Sequence, residues 1–163
     1  MKVYGVTGWK NSGKTGLMER LVSEFTARGL AVSTVKHAHH DTDIDQPGRD
    51  SYRHREAGAR QVLLATPRRW AVMHELRGAP EPSLADLLAQ MAPVDLVLVE
   101  GYKQGAHPKI EAHRAENAKP PLAQDNPTVR ALACDSVLAT DLPCFDLDDT
   151  RGIADFILRD LGL

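Results

Sequence analysis

The sequence predicts an α/β fold: a mostly parallel sheet flanked by helices, with an inserted β-hairpin. Three observations predict it. Residues Gly8-Trp9-Lys10-Asn11-Ser12-Gly13-Lys14-Thr15 match G-x-x-x-x-G-K-[ST] in full. That match lies between a strand-like run, Lys2 to Thr7, and a run with Leu17, Leu21, Val22 and Phe25 at helical spacing. Further along, strand-like and helical runs alternate, as they do when helices cross over a parallel sheet. The strand–glycine loop–helix order makes the expected arrangement P-loop NTPase-like, with residues 1–163 forming a single nucleotide-binding domain.

Each element has its own signal. The first helix is predicted from Thr15 to about Arg28, with Gly29 as its stop. Leu30 to Val35 reads as a second strand. The polar stretch Lys36 to Asp50 lacks periodicity and contains a Pro47-Gly48 turn signal. Ser51 is placed to cap a short helix towards Ala57, ending at Gly58. Gln61–Ala65 and Trp70–Glu75 read as a hairpin around Pro67-Arg68-Arg69. Ser83 and Asp86 are spaced as a capping box for a helix to Met91. Asp95 to Gly101 is the strongest strand. Its four consecutive apolar residues predict burial on both faces, as in a central parallel strand. Lys109 to His113 reads as a short strand. Arg114 to Pro127, charged and with three prolines, reads as a mobile loop. Arg130–Cys134 and Cys144–Leu147 read as late strands. A last helix runs from near Thr150, with Ile153, Phe156, Ile157 and Leu161 on one face, to Gly162.

Composition narrows the function classes. The 163 residues are 42% hydrophobic and 26% charged, enough for a proper core. A formal net charge of -2 argues against a nucleic-acid-binding domain. No run of 18 apolar residues predicts a membrane span. The chain enters a strand at once, which leaves no room for a signal peptide. Cys134 and Cys144 have no C-x-x-C partner and read as reduced thiols of a cytoplasmic protein.

The chemistry of the glycine loop follows from its residue types. Gly8 and Gly13 permit backbone conformations that a Cβ obstructs. The N–H groups of Gly8, Trp9, Lys10, Asn11, Ser12 and Gly13 can then surround phosphate oxygens, helped by the helix N-terminus. Lys14 reaches the β- and γ-phosphates, and the Thr15 hydroxyl is a ligand for Mg²⁺. Glu100 ends the strongest strand and is the candidate acid for the metal end of the phosphates. Asp50 is the candidate second acid, folded back by the Pro47-Gly48 turn. Lys14, Glu100 and Asp50 are therefore the expected catalytic groups, and Thr15, Glu100 and Asp50 the expected Mg²⁺ shell. Asp95, at the other end of its strand, reads as structural.

Three further features lie outside the loop. His37, His39, His40, Asp41, Asp43 and Asp45 could bind a transition metal, but their spacing fits no closed tetrahedral set, and a switch-like loop near the γ-phosphate is the better reading. Between Arg49 and Arg69 lie six arginines, suited to an anionic ligand or partner, or to a solvated helix face. No N-K-x-D is present. Asp135, and as a second option Asp141, could accept hydrogen bonds from guanine, but the residues alone do not choose between ATP and GTP.

Several segments together resemble one family. They are Gly8–Thr15, Val35-Lys36-His37-Ala38-His39-His40, Pro47-Gly48-Arg49-Asp50-Ser51, Ala57-Gly58-Ala59, Val99-Glu100-Gly101-Tyr102-Lys103, Lys109-Ile110-Glu111 and Ile153-Ala154-Asp155-Phe156-Ile157. In this order they resemble the MobB family of molybdopterin-guanine dinucleotide biosynthesis adapter proteins, over nearly the whole chain. Tyr102 and Ala112 depart from that pattern, away from the phosphate chemistry. The resemblance implies GTP and Mg²⁺ as cofactors, weak GTPase activity and a homodimer. It also implies a molybdopterin guanylyltransferase as partner; the residues leave open whether molybdopterin itself is a further ligand. The alternative is a P-loop kinase or ligase that uses ATP or GTP on a small metabolite. The apolar residues Val62, Leu63, Leu64, Trp70, Val72 and Met73 of the hairpin are the expected dimer surface.

Overall fold

The computed structural model describes residues 1–38 and 43–163. In chain order its elements are β1 (Lys2–Thr7), α1 (Lys14–Ala27), β2 (Val32–Lys36), α2 (Asp50–Glu56), β3 (Gln61–Ala65), β4 (Trp70–His74), α3 (Leu84–Ala89), β5 (Leu96–Glu100), β6 (Lys109–His113), β7 (Val129–Cys134), β8 (Cys144–Asp146) and α4 (Thr150–Leu161). They form two compact units. One comprises residues 1–37 and 91–163, the other residues 38–90.

The larger unit is a six-stranded sheet in the order β2-β5-β1-β6-β7-β8, every pair parallel. The four apolar residues Leu96 to Val99 are fully buried, as a continuous apolar run in a parallel sheet requires. α1 places Leu17, Leu21 and Phe25 against the sheet at i, i+4 and i+8, and α4 adds Ile153 and Ile157; all five are 0% exposed. Each such side chain contributes roughly 1.5–3 kcal/mol when fully buried. Gly29 and Gly162 stop α1 and α4 with φ of 87° and 67°.

Charged side chains are built into the sheet as well. Lys109 on β6 is 0% exposed, and its ammonium donates to Gly105 O, to His107 O at 2.8 Å and to Thr128 Oγ1 at 2.9 Å. Three acceptors satisfy its three donors. Burial nevertheless lowers its pKa to about 8. Gly5 on β1 leaves the space for this: a Cβ there would lie 2.7 Å from Lys109 Cγ and 2.8 Å from His107 Nε2. Glu111, two residues on, accepts from the backbone N–H groups of Leu122 (2.8 Å) and Ala123 (2.9 Å). These bonds anchor part of residues 114–127, the segment that reads as a mobile loop in the sequence. The segment contains two single 3-10 turns, Ala115–Asn117 and Leu122–Gln124, and its Pro120 carbonyl accepts from Trp9 Nε1 at 2.9 Å.

The smaller unit contains α2, the β3–β4 hairpin and α3. Arg55 of α2 is its electrostatic centre, bonded to Asp43 at 2.8 Å, Asp45 at 3.3 Å and Glu75 at 2.8 Å. The guanidinium holds the Asp43 carboxyl below the usual carboxylate range. Ser51 does not cap α2, which begins one residue earlier with Arg49 at the N-cap; its hydroxyl instead donates to Asp45 Oδ1 at 3.0 Å. The capping box of α3 is present, with Ser83 and Asp86 bonding reciprocally. Pairing of Val62 with Met73 and of Leu63 with Val72 fixes the two faces of the hairpin. Val62 and Met73 are buried, whereas Leu63, Trp70 and Val72 share the other face and are 61%, 70% and 43% exposed.

Both cysteines are free: Cys134 on β7 is buried and Cys144 on the edge strand β8 is exposed. Burial is the main cause that pushes the Cys134 thiol up to about 11. Among the described residues, no helix is long and apolar enough to cross a membrane.

Candidate functional site

The chain runs from β1 to neighbours on one side, then returns through β5 to β6 on the other. Such a reversal opens a crevice at the carboxyl ends of the central strands, where open α/β sheets bind ligands. Residues 8–15 occupy that edge, between the end of β1 and the start of α1.

The loop geometry depends on its glycines and on Asn11. Gly8 has φ 140°, and a Cβ there would lie 2.3 Å from Ala112 O and 2.6 Å from Ser12 Oγ. No other residue fits that close approach to β6. Asn11 adopts φ 65°, left-handed backbone that Asn tolerates better than most side chains. Gly13 is the N-cap of α1, without a side-chain cap, and no acid stands in the first turn. The other long helix, α4, is capped by Asp149, which accepts from Gly152 N at 3.0 Å. The first N–H groups of α1 are therefore left without a capping side chain, and its positive dipole end is not neutralised by its own sequence.

Cations gather around this helix start. The Lys14 ammonium donates to Trp9 O at 2.6 Å. Burial lowers the Lys14 pKa, Glu100 opposes that, and Lys103 and Lys36 lower it further. Lys103 and Lys119 each place their ammonium 4.5 Å from the Trp9 ring centroid. Trp9 and Lys103 also line a cavity of about 490 Å³, with Gln104, Pro120, Asn126 and Thr128. A chain with a formal charge of -2 thus concentrates positive charge at one edge of its sheet.

Glu100 ends β5 beside β1, in register with Val6 on one side and Lys36 on the other. The Thr15 hydroxyl donates to Glu100 Oε1 at 3.5 Å. One hydroxyl and one carboxylate meeting at the start of the loop helix are hard oxygen donors of the kind Mg²⁺ takes. Gly101 and Tyr102 follow, and the Tyr102 ring stacks on His37 with centroids 4.5 Å apart.

The remaining predicted residues fall as follows. Asp135 stands at the carboxyl end of β7, on the same edge of the sheet as the loop, and its Oδ1 accepts from Ala115 N at 3.0 Å. Asp141 precedes β8, at the opposite edge of the parallel sheet, so the two base-reading options separate. Asp50 lies on the first turn of α2 in the smaller unit and is exposed. His39, His40 and Asp41 lie outside the described residues. Among the described residues, no group of three or more His, Cys, Asp or Glu is placed to hold a metal. Sequence reasoning missed Arg114, whose guanidinium lies against Gly13. It directly follows β6, whereas Glu100 is the last residue of β5, and no motif marks it.

The family model described as MobB, molybdopterin guanine dinucleotide synthesis protein B, matches residues 3–135. A molybdopterin-guanine dinucleotide biosynthesis adapter protein of Haemophilus influenzae is 46% identical over 158 residues, covering 95% of this chain and 86% of that protein. The Escherichia coli K12 protein of the same description is 39% identical over 155 residues, covering 93% and 88%. The crystal structure of a MobB homologue from Bacillus stearothermophilus is similar at a TM-score of 0.73 and 29% identity, over 99% of both chains.

Proposed function

Since the chain belongs to the MobB family of molybdopterin guanine dinucleotide synthesis proteins, we propose that it is a GTP-binding adapter. In this reading it has weak Mg²⁺-dependent GTPase activity and assists the attachment of GMP to molybdopterin. The observation that carries the nucleotide part is the uncapped start of α1. A complete phosphate loop there meets Lys14, Thr15 and Glu100 and leaves the first helical N–H groups to an anion. The adapter role rests on the names of the relatives.

Each residue has a role in this reading. Backbone N–H groups of residues 8–13 hold phosphate oxygens. Lys14 exchanges the Trp9 carbonyl for the terminal phosphates. Thr15 and Glu100 would hold Mg²⁺, with Asp50 as a further acid, and the ion would supply neutralisation of phosphate charge. Asp135, at the end of β7, accepts from the guanine base.

Hydrolysis by the protein alone is slow in this reading. Positioning and charge stabilisation supply most phosphoryl-transfer catalysis, and a missing arginine or water-orienting group costs on the order of 10³–10⁵ in rate. The protein acts as a homodimer joined through its hairpins. Its partner is a molybdopterin guanylyltransferase, with molybdopterin as a further ligand.

The test titrates GTP, ATP, GMP and molybdopterin into wild type and Lys14→Ala, then follows phosphate release with and without the guanylyltransferase. The expected result is preference for GTP over ATP, loss of triphosphate binding far exceeding loss of GMP binding in Lys14→Ala, and turnover well below about 1 s⁻¹ without the partner. Rapid phosphate transfer to a small metabolite would replace the adapter with a kinase.

A further inference from the structure

Three of the six arginines of the larger unit pair with carboxylates. Arg20 pairs with Asp148, Arg28 with Glu24 and Asp155, and Arg130 with Asp160. Arg159 donates to the Asp155 carbonyl at 3.2 Å and Arg151 is exposed to solvent; Arg114 differs from all of these. It directly follows β6, the strand beside β1, and its side chain makes no ion pair or hydrogen bond among the described residues. Its Nε is sealed from water without an acceptor. Asp135, close in the fold, is engaged by the N–H of Ala115, the residue after Arg114.

The guanidinium lies against the first residue of the phosphate-loop helix. A Cβ built on Gly13 would be 3.3 Å from Arg114 Nε and 3.7 Å from Nη2. A fixed cation at a helix N-terminus opposes the helix dipole, and Lys14 already stands there. A buried donor without an acceptor costs free energy as well. Among the described residues no acceptor offsets the cost of the sealed Nε. An anion held at the start of α1 would satisfy both. A guanidinium fork suits phosphate oxygens, and the loop backbone that includes Gly13 is the part that holds α- and β-phosphates.

We propose that Arg114 is a nucleotide-binding residue that grips the α- or β-phosphate oxygens from the β6 side of the loop. Lys14 addresses the terminal phosphates, and Arg114 addresses those that a diphosphate retains. The inference rests on the nucleotide reading given above and adds a second cation to it.

The experiment compares wild type, Arg114→Ala, Arg114→Gln and Arg114→Lys by calorimetry with GTP, GDP and GMP, and by thermal melts without nucleotide. The two neutral variants are expected to bind both GTP and GDP on the order of 10- to 100-fold more weakly, as loss of a charge-assisted hydrogen bond implies. Arg114→Lys is expected between them and wild type. The ligand-free melting temperature of the neutral variants is expected to hold or rise, because an uncompensated cation is removed. Neutral variants that bind GTP and GDP within about twofold of wild type would overturn the inference and leave the nucleotide reading intact. A clear fall in ligand-free melting temperature with unchanged affinities would assign Arg114 to the fold instead. Wild-type protein that binds neither nucleotide would overturn both readings.

Discussion

Thr15 and Glu100, separated by 85 positions in sequence, meet at 3.5 Å where β5 ends and α1 begins. The hydroxyl belongs to the helix and the carboxylate to the sheet. Their meeting therefore depends on the parallel pairing of β1 with β5, which sets Glu100 beside Val6.

This pair predicts a metal-dependent phenotype. Thr15→Ala and Glu100→Gln should each weaken GTP binding on the order of 10- to 100-fold in the presence of Mg²⁺. Neither should matter much in EDTA, where the phosphate loop acts alone. Calorimetry under both conditions separates the two contributions, and equal losses with and without the ion would remove Mg²⁺ from the account.

The hairpin predicts an assembly. Leu63, Trp70 and Val72 form one exposed apolar face, while Val62 and Met73 on the other face are buried. Trp70→Asp should leave the fold intact and produce monomers. Light scattering of wild type and variant at micromolar concentration reads this directly; a wild-type monomer would end the homodimer proposal.

Acid stability should depend on His107. Burial first, and the Lys109 ammonium second, lower its pKa to about 4. The unfolded value is near 6.5, so between those limits the unfolded chain binds more protons than the folded one. The stability that neutral His107 preserves is complete above about pH 6.5 and is lost as pH falls towards 4. Thermal melts across this window should decline for wild type and decline less for His107→Gln. Parallel curves would show that other groups dominate the acid limb.

Much of the candidate site is legible because its parts are local. Gly8 to Thr15 needed only eight consecutive letters, and Glu100 announced itself at the end of an apolar run. The capping box at Ser83 was equally local. Residues 114–127 read as a free loop because prolines and charges look alike in a free loop and in an anchored one. The anchors, Glu111 to the N–H groups of Leu122 and Ala123, and Trp9 to Pro120, join distant positions. Ser51 reads as a cap because a serine before a helical run is the usual signal. Its hydroxyl was claimed instead by Asp45, through the geometry that Arg55 organises. Arg114 carried no signal, since an unpaired guanidinium is a property of surroundings that only folding creates.

The unequal burial of Cys134 and Cys144 makes the native sheet its own chemical counter. An alkylating reagent should add once to each folded chain, at Cys144 on the edge strand. A second adduct requires β8 to leave β7 and the Cys134 thiol to ionise, from a value that burial has raised. Intact mass spectra over time would therefore report how often this edge opens, without a denaturant and without a mutation. Nucleotide added to the same reaction would reveal whether a ligand at the carboxyl edge restrains the far strand.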